Sequence, residues 1–174
     1  MTNWPANKLR LLTTLEITHK ELNHLAYSWR QLFVDRNVDA QWVSTLEDHP
    51  DEAVVLEAFV SRFARLQDTL AAKVIPLWLE ALAEPISSQI ENLNRAERLG
   101  VISSTESWLA ARQIRNQLVH EYMVSADDLV SALVTARQAS VQFADTQNAI
   151  VDYLMKAFPS VKEDMTALRA EFPA

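Results

Sequence analysis

The residues with the greatest chemical potential lie in one stretch, Arg-Asn-Gln-Leu-Val-His-Glu-Tyr at positions 115–122. Arg115 is permanently charged, and its planar guanidinium matches the geometry of a phosphate group. A histidine such as His120 can take up and return a proton near neutral pH. Metal-free cleavage of RNA needs a base for the 2′-hydroxyl, an acid for the 5′-oxygen and a cation for the charged phosphorane. The stretch holds these residue types, with Asn116 and Tyr122 as further polar groups.

Helical geometry restricts how these groups can meet. In a regular helix Asn116 and His120 lie one turn apart on one face, whereas Arg115 and His120 are separated by roughly 140° around the axis. If the helix ends within the motif, the following backbone can turn and bring His120 and Tyr122 towards Arg115. Alternatively, a second copy of the helix can supply the missing group across a two-fold axis. An arginine and a histidine at this spacing also occur as an ordinary surface pair.

The chain around the motif has the pattern of an all-α protein. Apolar residues recur at three- and four-residue spacing, which predicts an up-and-down bundle of about five helices. The predicted helices cover residues 7–33, 50–83, 85–100, 103–120 and 125–158, with a short helix at 41–46.

Particular residues indicate where the predicted helices begin, bend and end. Pro50 and Pro85 are expected to start helices, Pro76 to kink one and Gly100 to end one. Ser103 with Glu106, and Ser125 with Asp128, have the spacing of N-terminal capping boxes.

The chain is predicted to form a single helical domain, over residues 1–158. The tail that follows, residues 159–174, is weakly amphipathic. We expect it to be weakly helical or frayed, although its apolar residues also allow it to dock.

Composition excludes several classes of site. One glycine in 174 residues argues against β-sheets, Walker loops and dinucleotide fingerprints. The absence of cysteine excludes disulfides and thiolate chemistry and fits a reducing cytoplasm. His19 and His24 are five residues apart and share no helix face, so no metal site is expected. A net charge of −7 means that any RNA contact must be local rather than a general basic coat.

The ends and apolar runs of the sequence bear on location. No apolar run approaches the roughly 18 residues of a membrane span, so no membrane partner is expected. The N-terminus lacks the basic and apolar regions of a signal peptide. The sequence is therefore interpreted as that of a cytoplasmic protein.

The motif and its flanks resemble those of the HEPN family. R-x4-H-x-Y at positions 115–122 is similar to the HEPN signature. The preceding Ile102-Ser103-Ser104, Trp108 and Arg112-Gln113-Ile114 resemble the HepT toxin subgroup. Phe-Ala-Arg-Leu-Gln-Asp at 63–68 also resembles the second-helix segment of these proteins. The resemblance covers most of the chain and leaves out residues 1–7 and 159–174.

This resemblance implies a fold, an activity and partners. It implies a HEPN-like helical bundle that forms a homodimer, with the paired motifs lining one cleft. The implied activity is that of a metal-independent endoribonuclease toxin, without a cofactor, in which Arg115, Asn116 and His120 act on RNA. An antitoxin of the MNT nucleotidyltransferase type, encoded alongside, is implied to neutralise the toxin by transferring AMP to Tyr122.

Two other functions are compatible with the same residues. The chain can be a non-catalytic accessory subunit that presents a nucleotide or substrate to the nucleotidyltransferase, with Arg115 and His120 gripping phosphate. It can also be a helical interaction protein without a site. Toxic expression that is cured by His120→Ala would favour the nuclease over both.

The segment at 63–68 raises one further question. Arg65 and Asp68 are one helical turn apart and can pair with each other, or Asp68 can reach across to orient Arg115. The sequence leaves both arrangements open. Four aromatic residues, Phe59, Phe63, Trp78 and Trp108, lie on apolar stripes and are predicted to be core residues rather than base-stacking platforms.

Overall fold

The computed structural model describes residues 6–120 and 125–173, and within these ranges it is helical without any strand. The all-α prediction is therefore confirmed for the described part of the chain. The helices are α1 (Ala6–Phe33), α2 (Ala40–Ser44), α3 (Pro50–Thr69), α4 (Ile75–Ala81), α5 (Gln89–Arg98), α6 (Thr105–His120), α7 (Ala126–Ala157) and α8 (Lys162–Thr166). None of the described helices is long and apolar enough to cross a membrane.

Four long helices form the body of the fold. Helix α1 packs on α3, α3 on α6, α6 on α7, and α7 back on α1, so the four close into a bundle. Each neighbouring pair is antiparallel, as the contacts of α7 illustrate: its middle residue Phe143 meets Trp108 near the start of α6, and its earlier residue Leu129 lies with Leu118 near the end of α6. The bundle is thus of the up-and-down type.

Aromatic rings form a continuous layer through the core. Phe33 contacts Phe59 edge-on at 5.1 Å between ring centroids, and Phe63 stacks on Phe143 at 5.2 Å. Phe143 in turn meets Trp108 of α6 at 5.1 Å. Because these rings join α1, α3, α6 and α7, they fix α3 and α6 side by side, which is the arrangement that positions the motif.

A π-helical segment interrupts the helix directly before Pro76, where a kink was predicted. Instead of one helix over 50–83, α3 ends at Thr69, residues Leu70–Val74 form a π-helical turn, and α4 follows. The N–H of Ile75 bonds to the carbonyl of Leu70, five residues back. Pro76 has no N–H and its ring crowds the preceding turn, so widening the helix before it relieves the conflict.

Two predicted helix starts are wrong by a few residues. Helix α5 begins at Gln89 rather than at Pro85, because the hydroxyl of Ser88 accepts the N–H of Glu91 and caps the helix. Helix α6 begins at Thr105, and its cap is Ser104, which accepts the N–H of Ser107 at 3.2 Å.

Other helix boundaries were predicted correctly. Ser125 caps α7 by accepting the N–H of Asp128 at 3.1 Å. Gly100 follows α5 with a φ of 79°, the left-handed conformation that suits glycine at a helix end. The backbone N–H of Thr105 also bonds to the carboxylate of Glu97 at 2.7 Å, and this bond lowers the pKa of Glu97. The start of α6 is thereby held to α5.

The tail packs against the bundle instead of fraying. Val161 and Met165 are buried in the core, and Phe172 meets Trp29 edge-on at 5.9 Å between ring centroids. Gln147, fully buried on α7, donates to the carbonyls of Leu15 and Leu168. The core therefore extends across the predicted boundary at residue 158.

Candidate functional site

Arg115 and Asp68 join α6 to α3 through an ion pair. Nη2 of Arg115 contacts Oδ2 of Asp68, and the two side chains are 22% and 55% exposed. Asp68 lies in the last turn of α3 and Arg115 in the second half of α6, and the antiparallel packing of these helices brings the two together. Of the two arrangements open in the sequence, the structure shows the one in which Asp68 reaches across to Arg115.

A second contact restrains the same guanidinium. Nη1 of Arg115 donates to Oδ1 of the neighbouring Asn116 at 2.9 Å. Its Nε is buried and has no hydrogen-bond partner within the described part of the chain. Each terminal nitrogen has a second N–H, so the fork retains donors for an oxyanion while two acceptors hold its plane. Arg115 is thus an oriented, partly exposed cation.

Arg65, predicted as a supporting residue, does not join this pair. It is exposed and, among the described residues, forms no ion pair with Asp68. It lines a cleft between α3 and α1. The next arginine back along α3 has a structural contact, since Nη1 of Arg62 donates to the carbonyl of His24 and to the hydroxyl of Ser28.

His120 and Tyr122 are placed only in part. His120 is the last residue of α6, and its side chain lies outside the described residues, as does the whole of Tyr122. Helix α6 is continuous from Arg115 to His120, so the helix does not end between them. Five helical positions therefore separate them by roughly 140° around the axis.

An apolar groove borders the end of α6. It has a volume of about 840 Å³ and lies among α2, α3, α6 and α7. Leu118 and Val119, which directly precede His120, form part of its wall. The described residues that line it include carboxylates and serines but neither lysine nor arginine.

No family model, curated protein or solved structure matches the chain. What supports a function is therefore the geometry of the Arg115 pair together with the resemblance of the motif. The four aromatic side chains add nothing to the site, because Phe59, Phe63, Trp78 and Trp108 are each at most 1% exposed, which confirms the prediction that they are core. Among the described residues, no three carboxylate or imidazole side chains group as a metal site.

A second cluster of polar residues was missed from the sequence. It lies in the cleft between α1 and the π-helical segment and contains Arg10, Glu21 and Lys73 in addition to Arg65. A signal was present, since Arg10, Thr14, Ile17 and Glu21 share one helix face by their spacing. Pro76 marked the irregular backbone opposite them. The polar face of α1 and Pro76 belong to different helices, so neither of them predicts the cleft by itself.

A third polar cluster ties α2 to α3. The carboxylate of Glu52 accepts from Arg36 at 2.5 and 2.9 Å and from the indole of Trp42 at 2.9 Å. The hydrogen bonds from Arg36, and then that from Trp42, lower the pKa of Glu52 from 4.5 to about 2. Every acceptor in this cluster is matched to a donor, so we assign it to the stability of the fold.

Proposed function

We propose that the chain is a HEPN-type endoribonuclease of the HepT toxin kind, acting on RNA as a homodimer without a metal. The observation that carries the proposal is the guanidinium of Arg115, held by Asp68 from α3 and by Asn116 from its own helix. An arginine oriented by two acceptors and still partly exposed suits recognition of a phosphate, because its plane is set before the substrate arrives.

The chemistry assigned to the motif is an internal transesterification. One His120 side chain removes the proton of a 2′-hydroxyl, and the 2′-oxygen attacks the adjacent phosphorus. A second His120 gives its proton to the departing 5′-oxygen, leaving a 2′,3′-cyclic phosphate and a free 5′-hydroxyl. Arg115 offsets the charge that develops on the non-bridging oxygens, and Asn116 fixes Arg115 or holds one of those oxygens.

Two copies of the chain are needed for this division of roles. Within one protomer the unbroken α6 places Arg115 and His120 roughly 140° apart, so one phosphate cannot easily face both. A two-fold axis along α6 would set the arginine of one copy near the histidine of the other. Light scattering at tens of micromolar is expected to give a dimer. A monomer that still cleaves RNA would exclude the composite site.

Regulation is proposed to act on Tyr122. A nucleotidyltransferase antitoxin would transfer AMP to its phenol, placing a bulky anion beside His120, where it competes with substrate phosphate for Arg115. Incubation with such an enzyme and ATP, followed by peptide mass spectrometry, tests this step. An adduct that persists in Tyr122→Phe would exclude Tyr122 as the acceptor.

Cleavage of RNA by the purified protein decides the main proposal. We expect activity in EDTA, cyclic phosphate ends, and a loss of at least about a hundredfold in Arg115→Ala and His120→Ala. The matched control is Arg98→Ala, an exposed arginine at the end of α5. Wild-type rates in both motif variants would refute the site. Binding of nucleotide without cleavage would favour the accessory subunit instead.

A further inference from the structure

A second cleft lies between α1 and α3, beside the face of α3 that carries Asp68. It has a volume of about 610 Å³ and is bounded by α1, α3, the π-helical segment, α4 and the residues that follow α4. Three cations line it, Arg10 from α1, Arg65 from α3 and Lys73 from the π-helical segment. The cleft therefore gathers positive charge from three successive parts of the chain.

These cations have no acidic partners in the described structure. All three side chains belong to exposed residues, and none of them forms an ion pair with a described carboxylate. The three cations outnumber the two carboxylates that line the cleft, Glu21 and Glu80, so the cleft is slightly positive in a chain whose net charge is −7. An anionic ligand in the cleft would supply these cations with the negative partner that they lack within the described structure.

Glu21 provides an independent sign of a ligand. Glu21 lines the cleft from α1, and its Oε2 atom is buried without a hydrogen-bond partner in the described part of the chain. An unbonded buried carboxylate oxygen is costly, because it has lost water without gaining a donor. A ligand with a hydroxyl or amino group would satisfy it.

The rest of the cleft wall combines apolar side chains with Glu80, Thr14 and Thr69. Ile17 and Ile86 are 48% and 50% exposed, and Pro76 and Leu77 lie beside them. Ile17 projects from α1 although half of its surface is in water, so covering it is favourable. Cations, an unbonded acceptor and apolar side chains together match a ligand with an anionic group, polar donors and a flat apolar ring.

We propose that this cleft binds a nucleotide. Its phosphate would contact Arg10 and Lys73, a ribose hydroxyl or base amino group would donate to Glu21, and the base would cover Ile17 and Ile86. The proposal goes beyond the endoribonuclease activity, because the cleft is separate from the Arg115 pair and needs no cleavage to be observed. The nucleotide can be free or part of an RNA strand, and the experiment distinguishes these sources.

Direct binding to the full-length protein tests the cleft. The probes are AMP, followed by calorimetry, and a fluorescent 2′-O-methyl oligoribonucleotide, which cannot be cleaved, followed by anisotropy. The variants are Arg10→Gln and Lys73→Gln, and Arg30→Gln is the matched control, an exposed arginine on α1 outside the cleft. Circular dichroism and urea unfolding establish that each variant is folded.

Each cleft variant is expected to weaken binding by about tenfold, the usual effect of losing a charged hydrogen bond, while the control stays within about twofold. For the oligonucleotide, each variant should also lower the salt slope of log Kd by about 0.7. Weakened AMP binding identifies a free nucleotide, and weakened binding of the oligonucleotide alone identifies an RNA strand.

The proposal is overturned if neither probe binds, or if both cleft variants bind as tightly as wild type. Because the oligonucleotide is uncleavable, a protein that binds it through Arg10 and Lys73 but never cuts RNA would refute the nuclease and leave the nucleotide cleft standing.

Discussion

Replacing Asp68 with asparagine separates the two roles that the Arg115 pair can have. The change removes one charge and preserves the shape of the side chain, so Arg115 loses its anionic anchor while the surrounding packing is kept. The pair is 22% and 55% exposed, and ion pairs of such exposure contribute about 0.2–1 kcal/mol to stability. Urea unfolding at pH 7 should therefore show a loss below about 1 kcal/mol.

The expected effect on catalysis is larger than the effect on stability. A guanidinium freed from Asp68 can rotate away from the phosphate, and misplacement by about 1 Å costs up to about a hundredfold in rate. We expect the single-turnover rate of RNA cleavage to fall by at least about tenfold, equivalent to about 1.4 kcal/mol of transition-state stabilisation. Arg115→Ala should lose more, because it removes the cation itself.

A matched control exists elsewhere in the fold. Asp152 on α7 pairs with Arg169 of the tail, and both side chains are 44% exposed. Asp152→Asn should change stability by a similar small amount and leave cleavage unchanged. If Asp68→Asn cleaves as fast as wild type, Asp68 does not position Arg115. If it cleaves faster, the carboxylate competes with substrate phosphate, and the orienting role is refuted.

Two further predictions concern the scaffold. Glu52→Gln should destabilise the protein at neutral pH. A pKa lowered from 4.5 to about 2 limits the stabilisation by the ionised carboxylate to about 3 kcal/mol. Because the side chain is 25% exposed and solvent screens its charge, we expect a loss of roughly 1–2 kcal/mol. Because the folded-state pKa is lowered, this stabilisation is complete above pH 4.5 and is lost as pH falls towards 2. Urea unfolding at several pH values should therefore show the unfolding free energies of the variant and the wild type converging as pH falls. A difference that stays constant with pH would contradict the assignment. Gly100→Ala should lower the unfolding free energy by about 1 kcal/mol in the same assay. The cause is the φ of 79° alone, because an added Cβ would meet no atom within 4 Å. An unchanged urea midpoint would mean that the turn adapts to alanine without strain.

The helices were predictable because their signals are local. Apolar spacing, Ser125 before α7 and Gly100 after α5 each act within one or two turns of the chain. The errors arose where two neighbouring residues offer the same chemistry: Ser103 and Ser104 can both cap a helix, and Glu97 holds the backbone N–H of Thr105, next to Ser104. The π-helical turn before Pro76 depends on how the chain relieves the proline, which packing decides.

The candidate site was predictable in its residue types but only partly in its contacts. Arg115 and Asn116 adjoin in sequence, so their hydrogen bond is local. The choice of Asp68 between Arg65 and Arg115 depends on how α3 and α6 pack, which spacing along one helix does not reveal. The cleft containing Arg10 and Lys73 was missed for the same reason, since its cations come from helices that meet only in the folded chain.

The positions of the cations around α3 connect the two proposals physically. Asp68 lies one helical turn from Arg65, so the Arg115 pair on the α6 side of α3 is close to the cations of the cleft on the α1 side. The Arg115 pair is locally neutral, whereas the cleft has one more cation than carboxylates, so it attracts a polyanion more than the pair does. If both proposals hold, an RNA strand is captured first by Arg10, Arg65 and Lys73 and meets the remaining N–H donors of Arg115 only on close approach. Salt would then weaken capture more steeply than it slows the chemical step, because screening acts on exposed, unpaired charges.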